Sequence, residues 1–240
     1  MCGKFTQMMS WGELHEFADF LAAPAGESET VMPMRDASII RLDKNGVRET
    51  VRMRWGFARA TATAPSQRPD HIHARAESLD ERVTFREAFK DRRGILVVKT
   101  FNEGEEVTPK KTRQHTITPR DGKPMAIAVL WEDWEHEKGP TLSTFVMVTV
   151  PANKLISSIT DRMPAMLEPE DWAKWLGEEP ASEAELKAML KPYPADKMQL
   201  WPVDRRLNNW RNDFADLIRP VPVEKDEPNP SGSLFDPPKR

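Results

Sequence analysis

The chain has 240 residues, of which 39% are hydrophobic and 30% charged, and its net charge is −3. These values exclude a polycation and leave room for a core of useful size, so any nucleic-acid site must be a local basic patch on a near-neutral body. One cysteine rules out an intramolecular disulfide and fits a reducing compartment. With no signal-like start and no apolar run near about 18 residues, the expectation is a soluble, cytoplasmic protein without membrane attachment.

In chain order, Ser10 and Glu13 form a capping box ahead of Trp11, Leu14, Phe17 and Leu21 at helical spacing, which predicts a first helix. Ser38–Leu42 and Glu49–Trp55 read as strands around the turn Lys44-Asn45-Gly46. Residues 60–70 read as a polar loop, Phe85–Lys90 as the end of a short helix, and Gly94–Lys99 as a buried strand. Segment 104–123 reads as charged and turn-rich. Pro124–Trp131 and Ser143–Val150 are further strands. Glu168–Leu176 and Ser182–Leu190 read as helices, the second opened by a Ser182/Glu185 capping box. Strands and helices mix without regular βαβ alternation, so the predicted class is α+β, one domain over 1–221 with mostly antiparallel strands and peripheral helices. Residues 222–240 are rich in proline, charge and small residues and predict a disordered tail.

Cys2 carries the most specific chemistry. Once Met1 is removed, its free α-amine, with a pKa of roughly 7.7–8.0, stands beside its thiol and is partly neutral at cell pH. A 1,2-aminothiol condenses with an aldehyde to a Schiff base and then, by thiol attack, to a thiazolidine. The ring-opened deoxyribose of an abasic site is such an aldehyde. No internal cysteine can do this.

Around Cys2 the chain reads Met1-Cys2-Gly3-Lys4-Phe5, and further short blocks follow in a recognisable order. They are Trp55-Gly56, Ala74-Arg75-Ala76-Glu77, Phe101-Asn102-Glu103, Ala128-Val129-Leu130-Trp131-Glu132, Asp161-Arg162-Met163-Pro164 and Leu217-Ile218-Arg219-Pro220-Val221. Together they resemble the SRAP family, the SOS-response-associated peptidases or abasic-site shield proteins, over residues 1 to about 221. The resemblance implies an α+β domain with a positively charged cleft, an N-terminal cysteine that frees itself of Met1, and covalent capture of abasic single-stranded DNA. It implies Cys2 as nucleophile and Glu103 as the group that moves protons, help worth typically 10²–10⁴-fold. It further implies Arg75 on DNA phosphate; Lys4, Arg35 and Arg162 are further candidates for phosphate contacts, and Trp55 is a candidate stacking aromatic, as single-stranded DNA sites use exposed aromatics. Taken on their own residues, Glu103 is a surface turn carboxylate, Arg75 a partner for Glu77, and Trp55 a core side chain. No metal or organic cofactor is implied, and nothing argues beyond a monomer.

Two positions depart from the family pattern. His73 stands where the family has asparagine, and Thr160 where it has the histidine expected to assist sugar ring opening and reversal of the cross-link. Thr160 can donate a hydrogen bond but cannot titrate near neutrality, so His73 is the candidate replacement for the proton relay. Lys4 for arginine loses the bidentate fork, and Gly104 replaces a tryptophan usual after the glutamate. Three rival readings compete. His71, His73 and Glu77 have the H-x-H-x₃-E spacing of cupin metal enzymes, without that frame's flanking glycines. A peptidase using Cys2 with a histidine, and a non-covalent DNA-binding module, are the others. Ser233-Leu234-Phe235 in the tail resembles the end of a sliding-clamp-binding peptide.

Overall fold

The most apolar runs become strands covered on both faces, as expected where a sheet is buried on two sides. In the computed structural model, which describes residues 3–7, 30–108, 111–135, 139–208 and 215–222, every residue of β6 (Arg93–Val98) is buried. β6 pairs antiparallel with β3 (Asp36–Leu42) and β9 (Met125–Trp134). β3 forms a hairpin with β4 (Arg48–Trp55), whose turn is held by Asp43, its carboxylate accepting from the backbone N–H groups of Asn45 and Val47 at 2.8 Å each. β10 (Leu142–Pro151) pairs with β9 on one edge and, in parallel, with β4 on the other. The strands β4, β3, β6, β9 and β10 therefore close into a ring, which leaves these five without a bare edge. The three-residue β5 (His73–Arg75) lies parallel to β10, and β11 (Arg162–Pro164) antiparallel to it.

A second sheet packs against this ring. Its order is β12 (Met198–Pro202), β8 (Lys111–Pro119), β7 (Thr100–Thr108), β1 (Lys4–Thr6) and β2 (Thr30–Val31). One residue, Lys99, links β6 to β7, so the chain steps from the ring into the second sheet without a loop. Phe5, Phe101 and Ile117 stand level across β1, β7 and β8 and join Trp55 and Phe145 of the ring in one core. Among the described residues three short α-helices lie outside: α1 (Arg86–Asp91), α2 (Trp172–Leu176) and α3 (Glu183–Met189). Ser182 and Glu185 cap α3 reciprocally, as the sequence predicts. Trp175 of α2 donates its indole N–H to the Gly94 carbonyl at 2.8 Å and docks that helix on β6. Among the described residues no helix is long and apolar enough to cross a membrane.

The α+β class and the mostly antiparallel strands are as expected, β10 with β4 and β5 being parallel. Segment 104–123 is a correction. It is not turn-rich but mostly the hairpin β7–β8, in which Glu105 faces Arg113 across the ladder and forms a 3.2 Å ion pair. Charges that look like loop composition along the chain are cross-strand partners once the register is set. The first helix at Ser10, the tail from residue 223 and the Ser233-Leu234-Phe235 motif lie outside the described residues.

Gly94 is required by packing. A Cβ there would stand 2.9 Å from the Ile40 carbonyl oxygen and 3.0 Å from Ile39 Cγ2. Gly94→Ala is expected to destabilise the fold by about 1–3 kcal/mol through overpacking, read as a Tm lower by about 2–4 °C per kcal/mol. An unchanged melting curve would show that β3 gives way freely.

Candidate active site

The start of the chain is held by packing. Phe5 is buried with its ring 5.1 Å from that of Trp55, and β1 pairs Lys4 with Asn102 and Phe5 with Phe101. Cys2 lies outside the described residues. Covalent geometry alone keeps its Cα within about 7–8 Å of the Lys4 Cα, two trans peptide units away. The ladder residue next to Asn102, the partner of Lys4, is Glu103.

Glu103 is 4% exposed. Burial raises its pKa above the usual carboxylate range, and the negative charge of Asp161 pushes the same way. Hydrogen bonding and charge from the amino terminus, together with the Gly104 backbone N–H, work against that rise. The plain reading of Glu103 as a surface turn carboxylate is thus corrected: β7 carries it inward, on the same face as Phe101. Asp161, immediately before β11, is a site residue that sequence reasoning passed over. The motif Asp161-Arg162-Met163-Pro164 pointed at it without a role, and only the fold brings its charge to bear on Glu103. Thr160 precedes it, in the turn where its backbone N–H donates to the Ile156 carbonyl at 3.1 Å.

His73 opens β5. Its half-buried ring meets Trp55 edge-on, with centroids 5.9 Å apart and planes at 75°. Trp55 touches Phe5 as well, so His73 is one indole away from the anchored chain start. β10 runs between β5 and β11 and separates His73 from the Thr160 segment. Gly104 has its space filled from β8. A Cβ there would stand 2.6 Å from Thr112 Cγ2 and 2.8 Å from Gln114 Nε2.

The residues expected on DNA divide into three groups. Arg35 and Arg75 are exposed. Arg162 is buried and forked onto Glu77, at 2.6 and 2.9 Å, while also donating to the Thr149 carbonyl at 2.6 Å. Glu77 has a lowered pKa, chiefly because it accepts those bonds from Arg162, with the charge of Arg75 a smaller contributor. The hydrogen-bonding partner of Glu77 is therefore Arg162, not the Arg75 of the plain sequence reading. Lys4 and Trp55 are corrections. Lys4 is 6% exposed with its ammonium nitrogen inside, and Trp55 is 0% exposed, donating its indole N–H to the Ile72 carbonyl at 2.8 Å. Neither offers a surface to a strand arriving from solvent.

The H-x-H-x₃-E metal reading fails on geometry. His71 lies before β5 with φ 51° and its ring against Phe85, so His71 and His73 do not share a strand face. Glu77 is occupied by Arg162. Among the described residues no group of three or more His, Cys, Asp or Glu side chains could hold a metal ion.

The buried carboxylate of Glu103 thus lies on the strand that pairs with β1, which begins two residues after Cys2. The chain belongs to the SOS response associated peptidase (SRAP) family, whose model matches residues 1–210. It is 31% identical to the abasic site processing protein YoqW of Bacillus subtilis, over 91% of this chain and 99% of that one. It is also 31% identical to YobE, an abasic site processing protein of the same organism, over 87% and 97%. A solved structure of a protein from Bacteroides thetaiotaomicron superposes with a TM-score of 0.79 at 19% identity, covering 92% of this chain and all of that one.

A carboxyl whose folded pKa lies above its unfolded value makes the folded state bind more protons. Its contribution to stability then falls as pH rises from the ordinary glutamate value of 4.5 through the raised folded pKa. Glu103→Gln removes that loss. The variant is expected to melt above the natural protein at neutral pH, with the gap closing as the pH drops towards 4.5. Equal Tm values at neutral pH would mean that the carboxylate carries no net cost.

Proposed function

We propose that this protein captures abasic sites in single-stranded DNA through Cys2, after removal of Met1 by its own site. The observation that supports this most is the buried Glu103, its pKa raised by burial, on the strand paired with the chain start. In the reaction, the Cys2 amine adds to the aldehyde carbon of the opened sugar and the carbinolamine loses water to give a Schiff base. The thiol sulfur then attacks the same carbon and closes a thiazolidine, with one water released in all. Glu103 takes and returns the protons of these steps. A carboxyl with raised pKa suits that work, since its proton affinity lies nearer the operating pH.

DNA is held mainly through phosphates, which position a strand without reading its sequence, so little base preference is expected. The exposed Arg35 and Arg75 are the contacts we assign. Arg162 acts from inside, tying β11, and with it Asp161, to the segment after β5 through Glu77. His73 supplies an imidazole on the wall beside Trp55, and Thr160 puts no group that titrates near neutrality at its own position. The protein works where the DNA is, in the cytoplasm, and Met1 removal makes it a thiol autopeptidase as well as a DNA-capturing enzyme.

The test is a denaturing-gel assay with single-stranded DNA carrying one abasic site, run beside Cys2→Ala. A heat-stable shifted band that vanishes in the variant is the expected result. If no band forms although intact mass shows Met1 already gone, the chain is a non-covalent DNA binder. A second expectation concerns the missing histidine. Thr160→His should change the rate at which the cross-link reverses more than the yield of capture, and equal effects on both would remove His73 from the relay.

A further inference from the structure

A buried Glu103 that trades protons with Cys2 needs a way to exchange them with solvent. Across the β7–β8 ladder the residue directly opposite it is His115. Directly opposed residues of an antiparallel pair point to the same face, with Cβ atoms about 4.5–5.5 Å apart. His115 is itself 6% exposed, and its Nδ1 is buried with no hydrogen-bond partner among the described residues. Its other nitrogen, Nε2, stands 3.6 Å from an oxygen of Glu105, which is two residues along β7 on that same face and partly open to solvent. A buried imidazole with one ring nitrogen unsatisfied is costly unless something uses it.

We propose that His115 is a positioning residue that connects Glu103 to solvent, passing protons along Glu103, His115 and Glu105. This rests on the reading of Glu103 as the proton-moving group at Cys2. In the outward direction the Glu103 carboxyl gives its proton to Nδ1. Nε2 gives its own to the Glu105 carboxylate, and the imidazole ends neutral in the opposite tautomer. Charge and protons balance, and the reverse order reloads Glu103. Nothing is oxidised, and no co-reactant is needed.

The surroundings suit a neutral carrier. Burial lowers the pKa of His115 below the usual imidazole value and the charge of Arg113 on its own strand adds to that, while the charge of Glu105 and a hydrogen bond with the Arg113 backbone oppose it. Glu103 and Glu105 are the titratable groups facing it from β7. From β12 the register sets Pro202 opposite it, which carries no charge. A neutral imidazole can accept at one nitrogen while donating at the other, which a cation cannot do. Thr160 makes this route matter more in this chain, because its hydroxyl cannot titrate near neutrality.

The experiment measures single-turnover cross-linking to abasic single-stranded DNA across the neutral pH range for the full-length protein and for His115→Gln. Glutamine keeps the size and hydrogen bonding of the position but cannot carry a proton. The expected result is a rate lower by about 10- to 100-fold, at or below the low end of what a general acid–base group supplies directly. The final yield should be unchanged and the neutral limb of the pH profile flattened. A variant that follows the natural protein in rate and pH profile overturns the proposal. A second measurement keeps it testable should His115→Gln fail to fold, or should the natural protein form no cross-link and so sink the reading of its function. The His115 imidazole is titrated by NMR in the natural protein and in Glu103→Gln. Coupled groups shift one another, so its titration should move. An identical titration in the two proteins overturns the link.

Discussion

The seating of Phe5 under Trp55 is the contact on which the rest of the molecule depends. β1 has only three residues, paired with β2 on one edge and β7 on the other, and the Phe5 ring packed against Trp55 seats it between them. That placement brings the amino end of the chain to Glu103, and the same indole backs His73. One packed tryptophan thus ties together the start of the chain, the strand with the buried carboxylate and the strand with the imidazole. Its own N–H is satisfied by the Ile72 carbonyl, which removes the penalty of burying it.

Around that anchor a buried carboxylate is held at some cost to stability. Glu103 is buried and has Asp161 acting on it, which is an unfavourable position for two carboxylates unless protons are to be held and released there. Local departures of this kind gather at functional sites and are offset elsewhere. Here the offset includes the fork of Arg162 on Glu77, which joins β11 to the segment after β5. A near-neutral chain uses part of its basic complement in this way, inside the molecule. Arg35 and Arg75 are left to face solvent.

The closed ring of β4, β3, β6, β9 and β10 gives the site a rigid base. Its strands cannot splay without breaking a continuous circuit of hydrogen bonds, so β10 holds β5 and β11 at a constant separation. The second sheet joins the ring through the one-residue link at Lys99. Glu103 and His115 lie where the two layers meet, on the inward face of β7 and β8.

Several features were legible along the chain because they depend on neighbours in sequence. The runs from Gly94 and from Pro124 are strands because their apolar residues must be covered. The turn at Asn45-Gly46 and the cap at Ser182 follow from local hydrogen bonding. Cys2 and Glu103 stood out through the order of short motifs, before any geometry. Other features required contacts between residues far apart. The register of β7 on β8 turned an apparent loop of charges into a hairpin and set His115 opposite Glu103. Packing buried Trp55, as its residue type suggested, and also Lys4, a candidate phosphate contact. Residue type and spacing thus determined which groups can do chemistry. Burial and register decided which of them meet, because both arise only when strands separated by tens of residues close on one another.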